Sequence, residues 1–189
     1  DYVPLSAILE GAIAEIEGDL ASPIPMHRLL QGDVGAGKTV VAVAAMLCAV
    51  QGGHQGALMA PTEVLAEQHS AGVRKMLESV TLGSDASLFG ERPVEVALLT
   101  SRTSAAERRR IQVGLDSGEV DLVIGTHALI HGSVEFPSLG VVVVDEQHRF
   151  GVEQRAALRR GNPDGSVPDV LVMTATPIPR SAAMTVYGD

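Results

Sequence analysis

Gly32-Asp33-Val34-Gly35-Ala36-Gly37-Lys38-Thr39 fits the pattern G-x-x-x-x-G-K-[ST] at every specified position. Its three glycines let the backbone curl tightly, so that successive N–H groups point at one phosphate. Lys38 has the reach to contact β- and γ-phosphates, and the Thr39 hydroxyl can ligate Mg²⁺. Arg28-Leu29-Leu30-Gln31 before the loop reads as a short strand, and the apolar run Val40–Val50 after it as a helix ended by Gly52-Gly53. A helix that starts at the loop adds its dipole and its first N–H groups to a phosphate site. The second chemical cluster is Val141-Val142-Val143-Val144-Asp145-Glu146, a buried strand that ends in two carboxylates. Asp145 would hold Mg²⁺, directly or through water, and Glu146 would orient and deprotonate an attacking water. Alone, such a pair reads as a solvated strand end. With a phosphate loop upstream it reads as the metal ligand and base of phosphoryl transfer.

The elements that must position these groups alternate along the chain. Residues 4–20 carry Leu5, Ile8, Leu9, Ile13, Ile16 and Leu20 near helical spacing, and Ser22-Pro23-Ile24-Pro25 ends that helix. Strands are expected at 55–60, 94–100, 121–125, 141–144 and 169–173. Helices are expected from Glu63 to about Val80 with Thr62 as N-cap, from the capping box Ser104-Ala105-Ala106-Glu107 to about Gly118, and over Glu153–Arg160. Leu82–Pro93 reads as a Gly/Ser-rich loop, the best candidate for local disorder. Strands that are apolar throughout and alternate with helices predict an α/β fold with a parallel sheet covered on both faces. In such a sheet the strands' carboxyl ends share one edge, where ligands bind. Gly32–Thr39, Pro61-Thr62-Glu63, Thr100-Ser101-Arg102, Gly125-Thr126-His127, Asp145–His148 and Thr174-Ala175-Thr176 all follow strand ends, which is more than turn formation alone explains.

Composition narrows the setting. The chain has 189 residues, 46% of them hydrophobic, enough for one domain with a sizeable core. Its longest apolar run, Val40–Val50, is too short to span a bilayer, and no signal-type segment opens the chain. It starts at Asp1 without a Met, and its motifs run almost to the end, so it reads as a segment of a longer protein. The single cysteine, Cys48, lies in the apolar helix and reads as a buried thiol in a reducing cytoplasm. The net charge of −9 makes a broad electrostatic footprint for nucleic acid unexpected, and five aromatic residues make a base-stacking platform unexpected. Any nucleic-acid contact must then be local.

Taken together, Gly32–Thr39, Ala60-Pro61-Thr62-Glu63, Gly125-Thr126-His127, the box Asp145-Glu146-Gln147-His148 and Thr174-Ala175-Thr176-Pro177-Ile178-Pro179-Arg180 resemble the first motor lobe of a superfamily-two helicase. The longer strings Ala60–His69, Asp145–Val152 and Thr174–Arg180 resemble most closely the bacterial branched-DNA translocases, and the likeness covers the chain from about Leu5 onward. The resemblance implies a three-layer RecA-like P-loop lobe over residues 1–189, with ATP and Mg²⁺ at the loop. It implies a second motor lobe with arginine fingers and a wedge domain, both outside this chain. The lobe by itself is therefore expected to hydrolyse ATP negligibly, an arginine finger being worth roughly 10³–10⁵ in rate. By the same resemblance, Pro61–Glu63 and Gly125–His127 would face the DNA backbone, and Gln147, His148, Thr174 and Thr176 would relay the state of the γ-phosphate. Thr62, Thr100, Ser101, Arg102 and Thr126 supply hydroxyls, N–H groups and one guanidinium for sequence-blind phosphate contact, which reconciles DNA binding with the acidic balance. The implied whole is a monomeric, cytoplasmic ATP-dependent helicase that remodels branched or stalled-fork DNA in repair and recombination.

Two departures stand out. Leu9 occupies the place where such families carry an adenine-reading Gln, and Ser101-Arg102 replaces the usual Gly-Ser after Thr100. Other features read as structural. Arg108-Arg109-Arg110 reads as a solvated face with an i,i+3 pair to Glu107, and Arg159-Arg160 as cations at a helix end. His27, His54 and His131 lack metal-ligand spacing and read as surface residues, while His69 is a weak candidate on the DNA-facing helix. The alternatives are a transcription-repair coupling translocase, whose box normally reads Asp-Glu-Glu-His where Gln147 stands here; a P-loop small-molecule kinase; and a non-catalytic ATP-binding scaffold.

Overall fold

Apolar runs such as Ala57–Ala60 and Val141–Val144 can be fully buried only if both faces of their sheet are covered, and the chain folds accordingly. The computed structural model describes residues 5–83, 91–126, 129, 134–145 and 162–175. Among them the elements follow as α1 (Leu5–Leu20), β1 (His27–Gln31), α2 (Lys38–Gln51), β2 (Gln55–Met59), α3 (Glu63–Leu77), β3 (Thr81–Leu82), β4 (Arg92–Pro93), β5 (Val96–Leu99), α4 (Ala105–Ser117), β6 (Leu122–Gly125), β7 (Leu139–Asp145) and β8 (Asp169–Thr174). Six strands form one sheet in the order β1-β8-β7-β2-β6-β5, and every neighbouring pair is parallel.

Side chains alternate across the sheet, and the two faces have different covers. On one face Leu58, Leu122, Ile124, Val141, Val143, Leu171 and Met173 pack with Val41 and Met46 of α2, Val73 and Leu77 of α3, and Ile16 of α1. On the other, Ala57, Met59, Val142, Val144, Val170 and Val172 form one cluster, and Leu99 and Val123 pack with Ile111 and Leu115 of α4 in another. The result is the expected three-layer arrangement. The expected caps are present: Thr62 Oγ1 accepts the Leu65 N–H at 3.3 Å, Ser104 Oγ accepts the Glu107 N–H at 3.1 Å, and Gly118 ends α4 at φ +74°.

Several expectations need correction. The segment 82–93 is not simply a loop. Thr81–Leu82 and Arg92–Pro93 pair antiparallel and bring its two ends together. Helix α3 stops at Leu77 rather than near Val80. Ile8, counted on the apolar stripe of α1, is exposed, because α1 covers α2 with only one side, through Leu9, Ala12, Ile13 and Ile16. Cys48 is half-buried rather than buried, and desolvation, aided by Glu17 Oε1 at 3.7 Å from its Sγ, holds the thiol above its ordinary pKa. The helix expected over 153–160 lies outside the described residues, and so does His131.

The ladder β3–β4 is fastened to the sheet by one buried carboxylate. Asp121 receives both guanidinium N–H groups of Arg92 at 2.7 Å and the Glu95 N–H at 2.8 Å. We expect Asp121→Ala to cost about 1–3 kcal/mol, because it strands a backbone donor and a guanidinium fork together. Thermal unfolding measures this, and a melting temperature equal to wild type would show that solvent already satisfies both groups.

Candidate functional site

Because all six strands are parallel, their carboxyl ends meet on one edge, and the sheet order sets the sequence of groups along it. From one end these are the glycine-rich loop after β1, Thr174 at the end of β8, Asp145 at the end of β7, Pro61–Glu63 after β2, Gly125-Thr126 at β6 and Thr100–Arg102 after β5. Phosphate-type chemistry thus occupies the β1–β8–β7 half, and the polar turns occupy the β2–β6–β5 half. His127, Glu146, Gln147, His148 and Thr176 lie outside the described residues.

The loop has the backbone geometry that its glycines anticipate. Gly35 and Gly37 adopt φ of +83° and +81°, where a side chain would be strained. Gly37 is also the N-cap of α2, and no side chain caps that helix. The first N–H groups of α2 therefore face the loop without competition from a capping side chain, a donor set suited to phosphate. Lys38 Nζ donates to the carbonyls of Gly32 at 2.6 Å and Asp33 at 2.7 Å, which holds the ammonium across the loop. The loop is tied to the next strand by the bond from Gly32 N to Thr174 O at 3.2 Å. Leu9 of α1 reaches the same loop: a Cβ on Gly37 would lie 3.0 Å from its Cδ1. The position where the resemblance expects an adenine-reading Gln therefore presents an apolar side chain to the loop.

Asp145 continues the alternation of Val141 and Val143, so its carboxylate points to the face covered by α2 and α3. There Asp145 Oδ2 accepts a hydrogen bond from His69 Nε2 at 2.7 Å, with both side chains only 15% exposed. The imidazole kept above as a weak DNA-side candidate is thus turned inward, toward the acidic strand end. With Thr39 at the head of α2 and Asp145 on the same face, a hydroxyl and a carboxylate of the kind that holds Mg²⁺ stand on one side of the sheet.

The other half of the edge is built around Glu63. Its carboxylate accepts from Ser101 N at 3.2 Å and from Ser101 Oγ, and it pairs with Arg102 at 3.2 Å. Arg102 also lies 3.6 Å from Glu67 and remains 75% exposed. Thr100 is buried, and its hydroxyl accepts the Arg102 N–H at 3.3 Å, so it shapes the turn rather than facing solvent. Arg108, which sequence reasoning placed on a solvated face, instead donates to the carbonyls of Thr103 at 3.0 Å and Ser101 at 3.3 Å. Arg109 and Arg110 are exposed as expected, and Arg110 pairs with Glu107 at 3.4 Å. Thr62 is exposed, and while its oxygen caps α3 its own O–H stays available to donate. Thr126 is buried, and its Oγ1 has no partner among the described residues. Gly125 has a structural requirement of its own, since a Cβ there would meet the Leu99 carbonyl oxygen at 2.1 Å.

A glycine-rich loop leading from an edge strand of a parallel sheet into a helix, with an acidic strand end two strands away, defines a RecA-like P-loop lobe. Over residues 11–185 the chain matches the family described as DEAD/DEAH box helicase, and it belongs to that family. It is similar to the ATP-dependent DNA helicase RecG of Mycobacterium tuberculosis (strain ATCC 25618 / H37Rv), 54% identical over 170 residues that make up 90% of this chain and 23% of the relative. RecG of Bacillus subtilis (strain 168) is 50% identical over 186 residues, 98% of this chain and 25% of the relative. A structure of RecG bound to a three-way DNA junction superposes with a TM-score of 0.80 at 42% identity, covering 100% of this chain and 23% of that one. The helicase domain of Pyrococcus furiosus Hef shares the fold, with a TM-score of 0.64 at 20% identity over 96% of this chain and 36% of that one. The chain spans about a quarter of the length of the curated relatives it matches.

The close approach at Gly125 yields a test. We expect Gly125→Ala to destabilise the lobe by about 1–3 kcal/mol, because the clash is with backbone and can be relieved only by prying β6 from β5. Gly37→Ala meets a pliable leucine and a left-handed φ, and should cost about 1–2 kcal/mol. Denaturant titration of both variants compares them, and a Gly125→Ala protein as stable as wild type would contradict the strand spacing.

Proposed function

We propose that this chain is the ATP-binding first motor lobe of a RecG-like helicase, which couples ATP hydrolysis to the remodelling of branched or stalled-fork DNA. The carrying observation is the order of groups along the sheet edge, with phosphate-binding geometry on one half and exposed turns on the other, in a chain that is 50% identical to a RecG over nearly its whole length. That identity favours a RecG-type translocase over a transcription-repair coupling motor, and the helicase family match disfavours a small-molecule kinase.

In this reading the N–H groups of Gly35–Thr39 and the Lys38 ammonium hold the β- and γ-phosphates, for which Lys38 leaves its carbonyl partners. Thr39 and Asp145 are the residues that would hold Mg²⁺, which when bound neutralises charge on the phosphates. Glu146 orients the attacking water and takes its proton. Gln147, His148, Thr174 and Thr176 couple the strand ends to the DNA side. Pro61–Glu63, Ser101-Arg102 and His127 face the DNA backbone, with the buried Thr100, Gly125 and Thr126 supporting these turns from below. A second motor lobe and a wedge domain in the same full-length protein complete the site and engage the branch. Its reducing, cytoplasmic setting fits the lone half-buried thiol, and we take the working unit to be a monomer.

In the full-length protein, Glu146→Gln is expected to keep ATP affinity and lose about 10²–10⁴ in turnover, while Lys38→Ala loses affinity as well. Equilibrium nucleotide binding beside steady-state hydrolysis separates the two roles. Substantial turnover by Glu146→Gln would remove Glu146 as the base.

A further inference from the structure

Helix α3 buries Ala66, Ser70, Val73 and Leu77 against the sheet, and His69 stands beside this stripe. A half-buried imidazole next to an apolar stripe must find a partner or lose its hydration uncompensated. It finds the Asp145 carboxylate, across 76 residues of sequence, at 2.7 Å. A carboxylate oxygen accepts, so the ring proton sits on Nε2 and the imidazole is fixed as the donor. Among the described residues the bond engages Oδ2, and Oδ1 has no hydrogen-bond partner. It also clamps β7 to α3, the helix that Thr62 caps on the DNA-side half of the edge.

We propose that His69 is a positioning residue that holds the Asp145 carboxylate in the orientation needed for Mg²⁺ at the nucleotide site. The inference rests on the reading of Asp145 as a Mg²⁺ ligand. Its physical basis is general: hydrogen bonds to a ligating carboxylate fix its direction, and their loss typically weakens metal affinity about 10–100-fold. A side chain at the end of a strand has rotational freedom that the backbone does not remove. Here the imidazole removes it before any cation arrives.

The test uses the full-length protein and follows equilibrium binding of a fluorescent ATP analogue as Mg²⁺ is titrated. His69→Leu keeps the bulk and loses the donor, whereas His69→Gln places an amide N–H at similar reach. We expect His69→Leu to raise the Mg²⁺ concentration for half-maximal binding by about 10-fold or more, and His69→Gln to lie within about threefold of wild type. A wild-type Mg²⁺ profile for His69→Leu would overturn the proposal. So would His69→Gln shifting as far as His69→Leu, because the hydrogen bond would then not be what matters, and a matching fall in melting temperature would assign His69 to packing. Asp145→Asn is measured in parallel. If it leaves the Mg²⁺ profile unchanged, the reading of Asp145 itself fails, and the role of His69 fails with it.

Discussion

Parallel register is the constraint on which everything else rests. β7 is hydrogen-bonded on one side to β2 and on the other to β8, both parallel, and its residues Val141–Val144 are buried on both faces. A strand so placed can put polar groups only at its ends, and parallel neighbours send all their carboxyl ends the same way. Six strand ends far apart in sequence are thereby brought to one edge. The order β1-β8-β7-β2-β6-β5 then separates the glycine-rich loop from the turns around Glu63 and places Asp145 between them.

That central position gives the link between Asp145 and His69 its meaning. Among the described residues the imidazole–carboxylate bond is the side-chain contact that spans the two halves of the edge, while the bond from Gly32 N to Thr174 O ties the loop to β8 within the phosphate half. On the other half, charge is balanced locally. Glu63 and Glu67 flank Arg102, Arg108 caps carbonyls of the same turn, and Glu63 holds the Ser101 donors, so the donors exposed there are the Thr62 hydroxyl and the Arg102 guanidinium rather than a basic field. An acidic chain of net charge −9 can present such a surface without a basic patch.

The sheet, its parallel sense and the positions of α2, α3 and α4 could be read directly from residues, because buried parallel strands are continuously apolar and the caps at Thr62, Ser104 and Gly118 are local signals. The glycine-rich loop was legible for the same reason, since its chemistry is contained in eight consecutive residues. What escaped was long-range. The inward turn of His69 depends on which face of β7 carries Asp145, and that follows from a parity set by Val141 and Val143. His69 lies beside Ala66, Ser70 and Val73, a phase that could have flagged it as inward-facing. Arg108 was mistaken for a solvated cation because nothing in Arg108-Arg109-Arg110 distinguishes the one that meets the carbonyls of the 100–103 turn. The β3–β4 ladder is two residues per strand, too short to leave a periodic signal, and depends on Arg92 finding Asp121.

We propose that one sheet edge binds nucleotide at one half and DNA at the other. Peptide-resolved hydrogen exchange on the full-length protein tests it directly, with a non-hydrolysable ATP analogue and Mg²⁺ in one arm and a forked DNA in the other. Nucleotide-dependent protection is expected to centre on residues 32–39, and DNA-dependent protection on 61–65 and 99–103. DNA-dependent protection confined to the amino-terminal ends of the strands, or to helix α4 away from the turns, would contradict it.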